Sequence, residues 1–363
     1  MTGIVLPPYP YDRLERLKPK AEAHEGGCVD LSIGTPCDPP PAAVLRALAA
    51  SGAERGYPPS IGSQAYREAA AGWVQRRLGA TIDPASEVAA CIGTKELVAG
   101  LPHWLRLRTP ERDTVLYPGV SYPTYAMGAM LGGCRAVPYT TLDAIEPADA
   151  ERALCLWVNV PGNPTGELAD LGAAAAWGRA RHVPVLSDEC YVEFTWDGPP
   201  RTILEHGTDG VLAVHSLSKR SNLAGIRAGF YAGDAELVHY LRELRKHAGF
   251  MLPGPVQAAG AVAYDDDAHV DAQRDRYRRR LGLLRELLHA GLGVEAPMPG
   301  GAFYVWAPAP DDDAWALVDR LATDVGVLAS PGEFYGPLGA GHVRLAAVQP
   351  DEKLDLALRR LQH

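Results

Sequence analysis

Segments with apolar residues at helical spacing alternate along this chain with short, continuous apolar runs. The helical patterns cover Ala42 to Ala50, Gln64 to Leu78 and Asp170 to Arg181. The short runs are Thr114 to Tyr117, Leu154 to Val158, Pro184 to Leu186, Val211 to Val214 and Ala228 to Tyr231. Alternation of this kind predicts βαβ units, hence an α/β fold with a mostly parallel sheet covered by helices. Ligands of such sheets bind just beyond the carboxyl ends of the strands, so the polar residues after each run matter most.

Three of those runs end in groups with chemistry to offer. Leu154 to Val158 breaks into Asn159-Val160-Pro161-Gly162-Asn163-Pro164-Thr165-Gly166, which sets Asn163 at the sheet rim. Pro184 to Leu186 leads into Ser187-Asp188-Glu189-Cys190-Tyr191, a carboxylate at a strand end with a phenol three residues on. Val211 to Val214 leads into His215-Ser216-Leu217-Ser218-Lys219, and Arg227 follows eight residues after the lysine. A lysine can form a Schiff base with an aldehyde, and a hydroxyl and a guanidinium at these spacings can hold a phosphate. Lys219, Ser216 and Arg227 therefore point to pyridoxal 5'-phosphate. Asp188 would keep that cofactor's pyridine nitrogen protonated, Tyr191 and Asn163 would hydrogen-bond its phenolic oxygen, and Lys219, once displaced, would carry the substrate proton.

Composition narrows the setting. A length of 363 residues suits one large α/β domain plus a smaller one, and 47% apolar residues supply a sizeable core. The net charge of -9 and the absence of a dominant basic segment argue against a nucleic-acid or acidic-membrane surface. Cys28, Cys37, Cys91, Cys134, Cys155 and Cys190 are scattered without a Cys-x-x-Cys pair, so neither a structural metal nor a disulfide framework is expected. Met1 to Tyr11 lacks the pattern of a signal peptide, and no apolar run reaches membrane-span length. A soluble, cytoplasmic chain is the expectation.

The ordered set Asn163-Pro164-Thr165-Gly166, Ser187-Asp188-Glu189-x-Tyr191 and Ser216-x-Ser218-Lys219 with Arg227 resembles the class I/II aminotransferases of the fold-type I pyridoxal phosphate enzymes. The resemblance implies that fold, a smaller α+β domain built from both chain ends, and ping-pong amino transfer through Lys219. It extends to further positions. Tyr57 is similar to the tyrosine that reaches the phosphate of a neighbouring subunit, which implies a homodimer. Gly93-Thr94-Lys95 is similar to the glycine turn that opens a helix toward the phosphate, and Tyr122 to the aromatic that stacks on the cofactor ring. Arg344 resembles the arginine that grips the substrate α-carboxylate, and Gly34 the segment that closes over the substrate.

Within that family, Leu6-Pro7 to Tyr11-Asp12, Gly93 to Glu96, His215 to Gly229, Arg245 to Gly249, Pro255 to Ala259 and Phe334 to Pro337 resemble the succinyl-diaminopimelate aminotransferases of high-GC Gram-positive bacteria. These imply glutamate or 2-oxoglutarate as one partner and N-succinyl-2-amino-6-oxopimelate as the other, a step toward diaminopimelate and lysine. So anionic a substrate needs cations beyond Arg344, and Lys95 is the candidate. Val160, Gly162 and Pro118-Gly119-Val120 depart from that subfamily, which leaves open an aminotransferase acting on another amino acid in specialised metabolism, or a pyridoxal β-lyase. A transcription-regulating sensor would need a separate DNA-binding module, and the resemblance begins near Leu6. An inactive scaffold is disfavoured by Lys219, Asp188, Tyr191 and Arg344 standing together. The expected domains are a large cofactor domain over residues 41–251 and a smaller one made of residues 1–40 and 252–363, with the active site between them.

Overall fold

In the computed structural model, which describes residues 6–361, the short apolar runs become strands of one sheet. The remaining residues, and with them part of the Met1 to Tyr11 reading, lie outside the described residues. The strands are β1 (Val88–Cys91), β2 (Thr114–Pro118), β3 (Arg135–Tyr139), β4 (Ala153–Asn159), β5 (Val185–Asp188), β6 (Val211–Ser216) and β7 (Gly229–Gly233), in the order β1-β7-β6-β5-β4-β2-β3. β7 runs antiparallel to both of its neighbours and every other pairing is parallel. β3 gave no apolar run in the sequence because it is an edge strand with exposed positions.

The register places the reactive strand ends side by side. Asn159 pairs with Asp188, Asp188 pairs with Val214, and Ser216 follows two residues on, opposite Gly229. Successive side chains of these buried strands feed two cores, one on each face. Ala213, Val158 and Phe230 join one core with Tyr66, Trp73 and Tyr264. Leu212, Val214, Trp157 and Tyr231 join the other with Leu101, Val115 and Tyr125.

Helices of this layer include α1 (Ala42–Ala49), α2 (Gln64–Trp73), α3 (Thr94–Arg108), α4 (Thr124–Leu131), α5 (Leu171–Arg181), α6 (Ala235–His247) and α7 (Gly254–Asp265). α2 starts at Ser63, whose hydroxyl accepts the Tyr66 N–H, and α5 starts at Asp170, whose carboxylate accepts the Ala173 N–H.

The chain divides into two units. The larger comprises Thr35–Arg276 and Gly300–Ala302, and the smaller takes the segment ending at Gly34, Tyr277–Pro299 and the chain from Phe303 onward. The larger unit runs past Met251 because α7 packs on α1 and α2. There the buried Gln257 accepts the Ser63 N–H at 2.5 Å. The later boundary falls inside α8 (Ala268–Leu292). The smaller unit holds an antiparallel sheet in which β10 (His342–Ala346) lies between β9 (Ser330–Pro331) and β8 (Tyr304–Pro308). Among the described residues no helix is long and apolar enough to cross a membrane, and no cluster of His, Cys, Asp or Glu is placed to hold a metal ion.

Candidate active site

Asp188 ends β5 and is buried. Burial pushes its carboxyl above the usual carboxylate range, while hydrogen bonds from Cys190 and Tyr125 and the charge of Lys219 pull it back. Oδ2 accepts the Tyr125 hydroxyl at 2.9 Å and Oδ1 accepts the Cys190 N–H at 3.2 Å. Such a carboxylate, with its charge only partly compensated, suits a cationic N–H partner.

Asn159 ties the neighbouring strand ends together. Its Nδ2 donates to the Asp188 carbonyl at 2.8 Å, and its Oδ1 accepts the Asn163 N–H at 2.7 Å. Asn163 is thereby fixed against the strand that presents Asp188, and both Asn163 and Tyr191 are buried. Tyr122 and Tyr125 sit one turn apart at the start of α4, with ring centroids 6.0 Å apart and nearly perpendicular. Tyr125 also stacks on Trp157 at 5.0 Å.

The Ser216 hydroxyl caps the short helix Leu217–Arg220 by accepting the Ser218 N–H at 3.1 Å, and this helix carries the half-buried Lys219. Gly93, with φ of 71°, caps α3, and a Cβ there would run into the Arg227 guanidinium. Arg227 itself holds a left-handed backbone, with φ of 56°, and donates to the Ala224 carbonyl at 2.9 Å. Non-glycine residues adopt that conformation at some cost in strain, which tends to gather at functional sites. The Cys190 thiol lies 3.3 Å from the Thr94 hydroxyl, linking the helix start to the Asp188 strand end.

The structure thus joins Gly93, Thr94, Tyr122, Asn163, Asp188, Ser216, Lys219 and Arg227 at one edge of the large unit's sheet, where Tyr191 is buried three residues after Asp188. Lys95 is exposed in the first turn of α3. Tyr57 is 95% exposed and joins none of these contacts. Arg344 and Gly34 belong to the smaller unit. There Arg344 is buried in β10, its guanidinium between the rings of Tyr304 at 4.2 Å and Tyr335 at 4.8 Å. Its Nη2 donates to the Ser32 carbonyl at 2.6 Å and reaches the Tyr11 hydroxyl at 3.5 Å. The Tyr11 and Tyr335 hydroxyls are 3.0 Å apart. A Cβ at Gly34 would strike the Tyr304 hydroxyl, which explains a glycine there.

Residues 27–361 match the family described as aminotransferase class I and II. The chain belongs to that family. This aminotransferase is 44% identical over 364 residues to the 4-dedimethylamino-4-oxo-anhydrotetracycline transaminase OxyQ of Streptomyces rimosus, covering 98% of this chain and 99% of that one. It is 34% identical to the LL-diaminopimelate aminotransferase of Desulforudis audaxviator, covering 98% of this chain and 95% of the relative. Among solved structures, the N-succinyldiaminopimelate aminotransferase of Mycobacterium tuberculosis superposes with a TM-score of 0.84 at 27% identity, over 97% of this chain and 96% of that one. The fold is that of the fold-type I enzymes, and the cofactor is pyridoxal 5'-phosphate. The site fits that group in two ways. Asp188 offers a buried carboxylate for the ring nitrogen, and the missing Cβ of Gly93 leaves a cradle between the Arg227 guanidinium and the α3 N-terminus.

Sequence reasoning missed several residues of these two clusters. Tyr125 stood in the Ser-Tyr-Pro-Thr-Tyr stretch, and its spacing of three from Tyr122 at a helix start was the available signal. The bond of Asn159 to the Asp188 carbonyl and the contacts of Tyr11, Tyr304 and Tyr335 with Arg344 carried no local signal, because each joins residues from different elements of the fold.

Proposed function

We propose that this aminotransferase moves an amino group from glutamate to N-succinyl-2-amino-6-oxopimelate, giving N-succinyl-LL-2,6-diaminopimelate. The carrying observation is the buried Arg344, held by Ser32 and Tyr11 between two aromatic rings with its fork pre-set for a carboxylate. An enzyme that keeps such an anchor takes an α-amino acid in at least one half of its cycle. When bound, pyridoxal 5'-phosphate supplies the carbonyl that takes up the amino group and the ring that accepts electrons from Cα.

The chain's own groups do the rest. Arg344 orients the α-carboxylate. Asp188, steadied by Tyr125 and the Cys190 N–H, holds a proton on the ring nitrogen by keeping its own negative charge beside it. Asn163 and Tyr191 hydrogen-bond the phenolic oxygen. Lys219 would take the Cα proton on its Nζ and hold it there for return, and the Ser216 cap fixes the helix that carries it. Gly93, Thr94, Ser216 and Arg227 take the phosphate. The unit is a homodimer in the cytoplasm, in which the exposed Tyr57 offers its phenol to the partner's phosphate site. Lys95 takes a distal carboxylate of the succinylated substrate.

A second reading rests on a specific observation. The identity with the Streptomyces rimosus transaminase spans both chains, and its name gives a 4-oxo polycyclic substrate. Val120 and Gly162, two of the positions that depart from the succinyl-diaminopimelate pattern, line a cavity of about 90 Å³ beside Asn159. On that reading the acceptor is a ring ketone, and Arg344 serves only the amino-acid donor.

Steady-state turnover decides between them. The enzyme is offered succinyl-diaminopimelate with 2-oxoglutarate and, in parallel, a panel of amino acids and cyclic amines. Glutamate formed with the succinylated substrate alone supports the first reading. Glutamate formed only from other amines sinks it and leaves the second.

A further inference from the structure

Beneath the Gly93–Thr94 turn lies an ion pair that none of the steps above uses. Glu96 is the third residue of α3, and its Oε1 accepts the Ile92 backbone N–H at 3.0 Å, much as the acidic arm of a capping box does. Both of its oxygens take Arg245, with Nη1 to Oε2 at 3.0 Å and Nη2 to Oε1 at 2.6 Å. Arg245 comes from the last turn of α6, and its side chain is 1% exposed. The rings of Phe250, Trp104 and Tyr231 surround the guanidinium at 4.9, 5.2 and 6.0 Å. Burial disfavours its charge, and the bonds to Glu96 more than restore it.

Two effects meet at Glu96. A carboxylate in the first turn steadies the helix start and complements its dipole. The same carboxylate stands next to the backbone N–H groups that would receive a phosphate dianion, and like charges repel more strongly in a site withdrawn from water. A buried arginine offsets that repulsion, whereas an apolar side chain of similar length would satisfy the three rings equally well.

We propose that Glu96 and Arg245 are a positioning pair for the cofactor phosphate: Glu96 fixes the Ile92–Thr94 turn, and Arg245 cancels its charge so that the turn can accept an anion. This rests on the reading that the phosphate lies at Gly93 and Thr94. A pair kept only for packing would treat charged and uncharged cofactor forms alike.

The test is titration of the full-length apoenzyme with pyridoxal 5'-phosphate and, separately, with pyridoxal, which lacks the phosphate, followed by tryptophan fluorescence. Arg245→Met weakens the phosphorylated form roughly tenfold or more and leaves pyridoxal within about twofold. Glu96→Gln, whose amide oxygen still accepts the Ile92 N–H, binds the phosphorylated form at least as tightly as the parent. The double variant recovers most of what Arg245→Met loses. Equal weakening for both ligands, parental affinity in Arg245→Met, or a double variant as weak as Arg245→Met overturns the proposal. Should Arg245→Met not fold, the double variant decides alone: binding of the phosphorylated form as tight as the parent's supports the pair, and weaker binding overturns it. Arg227→Ala separates the two layers, because it must abolish the preference for the phosphorylated form. If the preference survives, the placement of the phosphate is wrong and the proposal falls with it.

Discussion

Tyr125 donates its hydroxyl to Asp188 Oδ2 at 2.9 Å while its ring lies against Trp157 at 5.0 Å. The donor is as buried as the carboxylate it serves, so no water replaces it when it is removed. Tyr125→Phe takes away a bond that favours the ionised carboxylate, and the Asp188 pKa rises further. Removing one hydrogen bond to a charged group corresponds to about 1.5–3 kcal/mol, hence a fall in kcat/KM of roughly ten- to a hundredfold. The acid limb of the pH profile moves upward. Unchanged kcat/KM and an unchanged limb in Tyr125→Phe would contradict this role.

Arg344 presents a planar fork between two rings, which a lysine cannot reproduce. Arg344→Lys raises KM for glutamate by roughly a hundredfold, the scale set by losing a bidentate buried charge contact. Tyr11→Phe gives a smaller rise of the same kind, since the guanidinium keeps its bond to the Ser32 carbonyl. Steady-state kinetics with varied glutamate measures both, and a KM in Arg344→Lys close to the parent's would rule Arg344 out as the carboxylate anchor.

Gly93 has φ of 71° and no room for a Cβ beside Arg227. Gly93→Ala forces either the turn or the guanidinium to move, a strain of about 1–3 kcal/mol. The expected outcome is weaker binding of the cofactor by roughly ten- to a hundredfold, with a loss of apoenzyme stability no larger than that strain. Equilibrium dialysis with pyridoxal 5'-phosphate checks the first part and calorimetry the second.

Behind the site, Glu189 and His215 face each other at 3.4 Å without a hydrogen bond, among Trp73 and Phe230. Burial pushes Glu189 up to about 7 from 4.5 and His215 down to about 3 from 6.5. Between pH 4.5 and 6.5 the folded pair keeps one proton on Glu189 and the unfolded pair keeps one on His215, so the pair leaves stability level. Below 4.5 the unfolded chain takes a second proton that the folded chain refuses until about 3, and stability falls as pH falls through that window. In His215→Phe the folded chain alone holds a proton between pH 4.5 and about 7, so stability rises on acidification across that range. Urea denaturation at a series of pH values measures the difference, and parallel profiles for parent and variant would refute it.

Much of the large unit was legible because its strands are buried on both faces and therefore read as continuous apolar runs. β1, only four residues long though buried throughout, was not among those runs, and neither was β3, an edge strand with exposed positions. Asp188, Asn163 and Lys219 were legible because each follows a strand at a distance that puts it on the sheet rim. Past Met251, α7 continues the large unit through helix packing and the bond from Ser63 to Gln257, which no composition change marks. Tyr125, Asn159 and the pair of Glu96 with Arg245 were hidden for a common reason. The bonds of Tyr125 and Asn159 to Asp188 and of Arg245 to Glu96 span 29 to 149 residues of chain, and only the fold brings these groups together.

The most direct measurement is a single-turnover experiment on the yellow holoenzyme mixed with L-glutamate alone, recording cofactor absorbance and 2-oxoglutarate together. The expected result is that the absorbance of the lysine-bound cofactor is lost, one 2-oxoglutarate is released per active site, and Lys219→Ala shows neither change. An unchanged spectrum with glutamate in the parent enzyme, or 2-oxoglutarate released equally by Lys219→Ala, would contradict it.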